Sequence, residues 1–200
     1  VAIIEKYFGG MQPNEDLSEL TLKTEFQLEA PVEKEVYGLD AEAIIMGWKY
    51  PGAASKDALI AEVAASVLYN GAAGLIDLNI NQEQKVLGAS GMSYPRPDAS
   101  ELIIMAYPKQ GQTLDEVREI MLEEVAKLRN AEFAEELLAG TVNNLRLAQM
   151  KSLESNASRA DMFVNSFING TEWKDVVKKL DNMSQITKED IIGWAEKYLR

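Results

Sequence analysis

The chain has 200 residues, of which 46% are hydrophobic and 26% charged, and its 20 basic residues face 32 acidic ones for a net charge of −12. That composition excludes a disordered tail. It also argues against partners such as nucleic acid or an anionic membrane surface, which need clustered lysine and arginine. There is no histidine and no cysteine, so disulfides, thiol chemistry, Ser-His-Asp arrangements and histidine-ligated zinc are excluded within this chain.

In chain order, Val1 to Phe8 reads as the end of an amphipathic helix, with Ile3, Ile4, Tyr7 and Phe8 on one face and Gly9-Gly10 as its stop. Met11 to Ser18, carrying Pro13, Asn14 and Asp16, reads as a linker. Leu20 to Leu28 and Glu33 to Tyr37 are short strand candidates. Ala43 to Tyr50 is a stronger, mostly apolar strand closed by Pro51-Gly52. Ser55 caps a helix to about Tyr69 whose stripe is Leu59, Ile60, Val63, Val67 and Leu68, and Asn70-Gly71 ends it. A short helix follows over Leu75 to Gln82.

Lys85 to Tyr94 and Glu101 to Tyr107 read as two antiparallel strands joined through Pro95-Arg96-Pro97-Asp98. Thr113 and Glu116 form a capping box for a helix to about Asn130, lined by Val117, Ile120, Met121, Val125 and Leu128. Helices are then expected over Glu132 to Ser155, Arg159 to Ile168, Thr171 to Leu180 and Thr187 to Leu199, the last boxed by Thr187 and Asp190. No run of about 18 apolar residues occurs, so no membrane-spanning helix is expected. Strands early and helices late predict an α+β fold: two layers, a mostly antiparallel sheet with helices packed on one face.

Little in the sequence suggests chemistry. No phosphate-binding glycine loop is present, and the glycines at 71, 74, 88 and 91 do not fit a dinucleotide fingerprint. The pairs Glu123-Glu124 and Glu135-Glu136 diverge by about 100° on a helix and are read as solvated faces. Ser152, Ser155 and Ser158 suit capping rather than nucleophilic attack. Trp48, Trp173 and Trp194 are read as core or edge-of-core residues. Three Asn-x-Ser/Thr matches, at Asn156, Asn169 and Asn182, carry little weight as glycosylation sites.

The order of the segments says more than any one of them. After the strand Ala43 to Tyr50 come Leu68-Tyr69-Asn70-Gly71, then Gln82-Glu83-Gln84-Lys85-Val86-Leu87-Gly88, then two strands and the capped Thr113-Leu114-Asp115-Glu116-Val117. Asn144-Leu145-Arg146, Ser152-Leu153-Glu154-Ser155, Ile186-Thr187-Lys188-Glu189-Asp190-Ile191 and Lys197-Tyr198-Leu199 complete the series. Over residues 19 to 200 this resembles a domain of the pitrilysin/insulinase family of zinc metallopeptidases, which includes the mitochondrial processing peptidases.

The resemblance implies homologous α+β domains that pair into two halves around a peptide-degrading chamber, with zinc held by a His-x-x-Glu-His helix in one of them. That motif is absent here. The family's partner half often grips substrate with an Arg and, about two helical turns on, a Tyr. Matching the segments puts Gln82 at the Arg position and Ala89 at the Tyr position, and neither can do that work. The chain therefore resembles a non-catalytic domain with no cofactor of its own, zinc being expected in the parent's catalytic domain. Gln82 and Lys85 are the candidate residues facing the substrate chamber.

On this reading residues 1–10 end a preceding domain's helix, 11–18 form a linker, and 19–200 form the domain, lacking a final strand after Arg200. Its partners would be the homologous domains of the same chain and the parent's peptide substrate, with no nucleic acid and no membrane. Weak self-association, strengthened by salt, is expected from the open sheet edge and the apolar face of Val1 to Phe8. The rival reading is an interaction or scaffold domain of a family member that has lost catalysis. A carboxylate-based hydrolase is disfavoured because no carboxylate pair converges.

Overall fold

The computed structural model describes residues 1–12, 28 and 30–200. Two compact units are distinguished, Val1–Glu35 and Val36–Arg200. In the first, helix α1 (Ala2–Phe8) ends where the Gly9 N–H donates to Glu5 O, and its apolar side chains Ile3, Ile4, Tyr7 and Phe8 are exposed. The strand expected over Leu20 to Leu28, and most of the expected linker, lie outside the described residues. Glu33 to Tyr37 forms no strand. Its side chains face water, with Val36 and Tyr37 about as exposed as its charged neighbours, so no buried face holds it in a ladder.

The second unit runs β1 (Ile44–Pro51), α2 (Lys56–Leu68), a π-helical turn (Asp77–Asn81), β2 (Gly88–Tyr94), β3 (Ala99–Tyr107) and α3 (Leu114–Arg129). It continues through α4 (Glu135–Ser152), α5 (Asn156–Ile168), α6 (Trp173–Val177), α7 (Lys179–Met183) and α8 (Lys188–Tyr198). The three strands form an antiparallel sheet of order β1-β3-β2. Pleating turns alternate residues to opposite faces, and the register stacks Met46, Ile104 and Gly91 in one row and Trp48, Leu102 and Ser93 in the next. These rows face the helices. The other face carries Ile45, Ile103, Met105, Met92 and Tyr94 and is far less covered.

The expected α+β architecture is what forms, and Ile60, Val63, Val67, Val117, Met121 and Val125 are all buried in its core. Helix α8 adds Ile191, Trp194 and Ala195, with the Trp194 ring edge-on to Tyr50 at 5.6 Å between centroids. Two corrections concern the later helices. The single helix expected over Thr171 to Leu180 is two short ones, α6 and α7, parted at Lys178 where ψ turns to 1°. Trp173 is not in the core: it is 41% exposed and stacks on Phe163 at 4.2 Å, outside the main packing.

Both capping boxes form. The Thr113 hydroxyl accepts from Glu116 N while the Glu116 carboxylate accepts from Thr113 N at 2.8 Å. Thr187 and Asp190 repeat the arrangement at α8. In each, the backbone N–H of the cap residue, then its hydroxyl, holds the carboxyl below its ordinary pKa, 4.5 for Glu116 and 3.8 for Asp190. A carboxyl whose pKa is lower folded than unfolded stabilises the fold above the unfolded value, and that contribution is lost as pH falls through the folded one. Urea midpoints measured from neutral pH downwards should therefore fall less steeply below about pH 4.5 in a Glu116→Gln/Asp190→Asn variant than in the parent chain. Superimposable pH profiles would show that the boxes carry no titrating stability.

Candidate functional site

The segment from Asn70 to Ala89 carries both candidate residues. Helix α2 ends at Leu68 and the next helical segment begins at Leu75, so carbonyls at the end of the first and N–H groups of the reversal before the second lack helical partners. Asn70 serves three of the local groups: its Nδ2 donates to Ser66 O, and its Oδ1 accepts from Ala72 N and Ala73 N. Asp77, 5% exposed, takes the others, its Oδ2 accepting from the N–H groups of Asn70, Gly71 and Gly74 at 3.0 Å each. Gly74 is needed there, because a Cβ would lie 2.7 Å from Leu68 O and 2.9 Å from that same Asp77 oxygen.

The helical segment beginning at Leu75 widens into the π turn, closed by Gln82 N donating to Asp77 O. The extra residue re-aims two asparagines. Asn79 Nδ2 donates to Glu124 Oε2 on α3 at 2.7 Å, and the other Glu124 oxygen receives Lys127 Nζ, also at 2.7 Å. Glu124 is 1% exposed, so the expected solvated face holds for Glu123 but not for Glu124, whose charge is balanced by that lysine. Asn81 pairs with Ala89 as a strand would, accepting from its N–H at 2.9 Å and donating to its C=O at 2.8 Å. One edge position of β2 is thereby occupied by a side chain.

Gln82 and Lys85 follow directly. Gln82 is exposed, and its Nε2 reaches Ala72 O only at 3.4 Å. Lys85 Nζ pairs with Glu83 at 3.0 Å, a contact that raises its pKa. Its backbone C=O accepts from Gln112 Nε2, and Gln84 between them sits in the left-handed region at φ 52°. Ala89 lies in β2 and is buried, so Gln82 and Ala89 are not two turns apart on one helix. The segment thus presents an amide and an ammonium group, both hydrogen-bond donors; the one carboxylate beside them, Glu83, is engaged by Lys85, and no hydroxyl or thiol nucleophile adjoins it.

Two shallow recesses lie among the described residues, the first beside this segment at Leu87. One of about 260 Å³ is bordered by Glu42, Leu87, Tyr107 and the turn Lys109–Gln112. The other, about 400 Å³, lies between α2 and α8 beside Asp57, Asp190, Trp194 and Lys197. Four of its charged groups pair with each other: Lys197 and the neighbouring Tyr198 hydroxyl both donate to Asp57, and Lys56 meets Asp190 at 3.5 Å, leaving the exposed Glu189 at its rim. Burial, then the Asp57 contact, raises the Tyr198 pKa, which makes it a poor proton donor to a substrate. Catalytic zinc does not fit this chain. It has no histidine or cysteine, and among the described residues no three acidic side chains converge.

Residues 1–145 match the family described as the peptidase M16 inactive domain. No curated protein sequence matches the chain. Among solved structures, a protease from Helicobacter pylori is similar with a TM-score of 0.74 at 15% identity, over 79% of this chain and 38% of that one. The inactive peptidase domain of a protein named a zinc protease, from Bordetella parapertussis, gives 0.67 at 16% identity, over 80% of this chain and 88% of that one. A chain of complex III2 from Candida albicans gives 0.63 at 15%, over 78% and 40%. Likeness at such identities establishes the fold alone, and the chain spans well under half of the Helicobacter protease. With the family match covering most of its length, the chain belongs to the peptidase M16 inactive domain family.

Proposed function

We propose that this chain is a non-catalytic domain of a zinc-dependent metalloendopeptidase, in which it walls the substrate chamber and packs against the zinc-bearing domain. The observation that carries this is a joint one: the inactive-domain family matches residues 1–145 of a chain that holds neither histidine nor cysteine. Zinc would be bound by a homologous domain, and residues 1–10 and 11–18 would be the end of a preceding domain and its linker. Gln82 and Lys85 would offer their donors to the carbonyls of a peptide in the chamber, contributing to binding and not to bond cleavage.

The test uses the whole open reading frame that encodes the chain. Elemental analysis after dialysis against a mild chelator should find zinc retained, both in the intact protein and after removal of residues 36–200, whereas removal should abolish peptide cleavage. A Gln82→Ala/Lys85→Ala variant should raise KM several-fold with kcat little changed. Undiminished cleavage without residues 36–200 would overturn the chamber role. An intact protein that retains no zinc and cleaves nothing would point instead to an interaction or scaffold domain.

A further inference from the structure

We infer that Asn169 is a site of spontaneous modification, converting to aspartate and isoaspartate, and that the fold shields the chemically equivalent Asn70. In this reaction the backbone nitrogen of the following glycine, having given up its proton, attacks the asparagine Cγ. A C–N bond forms, the side-chain amide nitrogen leaves as ammonia, and a five-membered succinimide remains. Water then adds to either carbonyl and opens the ring to aspartate or isoaspartate, so the balance is one water in and one ammonia out.

The sequence holds two Asn-Gly pairs, at 70–71 and 169–170. The two glycines have nearly the same left-handed conformation, φ 80° and 62°, and neither has an atom within 4 Å of the place a Cβ would take. Local crowding therefore does not separate them, but their hydrogen bonds do. The Gly71 N–H is held by the buried Asp77 carboxylate, which opposes formation of a negative nitrogen beside it, and the Asn70 side chain is committed to Ser66, Ala72 and Ala73. Leu68 and Ile76 on either side are fully buried, so this turn opens only with the core.

At the other site the Gly170 N–H reaches only Phe167 O, at 3.2 Å, and the Asn169 side-chain amide has no hydrogen bond among the described residues, only its backbone N–H donating, to Asn165 O. The turn is closed by Ser166 and Thr171, through Thr171 N to Ser166 O at 3.0 Å and through both hydroxyls, but helix α5 buries none of its side chains, so these bonds can part without opening the core. The product would place a carboxylate at the C-terminal end of α5, against the helix dipole, in a stretch from Met162 to Gly170 that has no charged residue.

The experiment ages the folded chain in mildly alkaline buffer and, in parallel, the same chain in denaturant. Peptide mapping by mass spectrometry then follows the one-dalton gain at each asparagine, with chromatographic separation of isoaspartate. In the folded chain Asn169 should convert at least ~10-fold faster than Asn70, because freeing the Gly71 nitrogen means parting it from a buried carboxylate and opening the core, and one hydrogen bond alone is worth up to that factor. In denaturant the two rates should come together. Equal rates in the folded chain would overturn the inference, as would a folded chain in which neither converts while both do in denaturant.

Discussion

Asp77→Ala should lower the unfolding free energy by about 3 kcal/mol: the buried Gly74 N–H is orphaned at roughly 1–3 kcal/mol, while the N–H groups of half-buried Asn70 and exposed Gly71 lose a charged acceptor that water partly replaces. The groups are those of Asn70, Gly71 and Gly74, all on Asp77 Oδ2. Urea unfolding followed by tryptophan fluorescence reads the loss. Asp77→Asn keeps one carbonyl oxygen in place and should recover about half of it, because a neutral acceptor is the weaker one. A loss under about 1 kcal/mol for the alanine variant would mean that the turn relaxes and finds other acceptors, and that Asp77 is not what holds it.

Leu102→Ala should cost about 3 kcal/mol, the transfer of a buried side chain plus the cavity left behind. Leu102 is fully buried on the central strand, opposite Trp48 and Ser93 and under the helices, where neighbours on every side limit collapse. Ile45→Ala removes a side chain of similar size from the outer face, where it is 65% exposed, and should change stability by no more than about 0.5 kcal/mol. The pair decides which face of the sheet carries the core. Comparable losses at the two positions would mean that the outer face is also packed.

What could be read in advance divides by the range of the interaction. Thr113 with Glu116, and Thr187 with Asp190, form their boxes from residues three apart, so the sequence carries the whole of each motif. The stripes of α2 and α3 were legible because helical period alone selects Ile60, Val63, Val117 and Met121. Glu124 departs from the expected solvated face because one of the partners that lets it be buried is Asn79, 45 residues away, brought there by a π turn that has no periodic signature. The expected strand from Lys85 starts later, β2 beginning only at Gly88, after the left-handed Gln84. Thr171 to Leu180 carries no sign of its division into α6 and α7, because Lys178, where they part, is an ordinary helix former. The positions of Gln82 and Lys85 could be named, but the loop that exposes them is built by Asp77, Asn79 and Asn81, polar residues whose long-range partners the sequence does not announce.

The π turn also dictates which kinds of genetic change this segment can absorb. Three side chains within five residues, Asp77, Asn79 and Asn81, reach a turn, a helix and a strand edge respectively. Their divergence depends on the one residue by which the turn exceeds an α-helical turn. Deleting any residue between Asp77 and Asn81 would swing everything beyond it by about 100° and pull it back by about 1.5 Å. At least one anchor would then miss its target. Substitutions that keep a short polar acceptor or amide at these three positions leave the geometry intact, whereas a single-codon insertion or deletion detaches it. Length here is therefore held more tightly than spelling, and a comparison of distant sequences that places a gap between Asp77 and Asn81 would misassign the anchors that follow it.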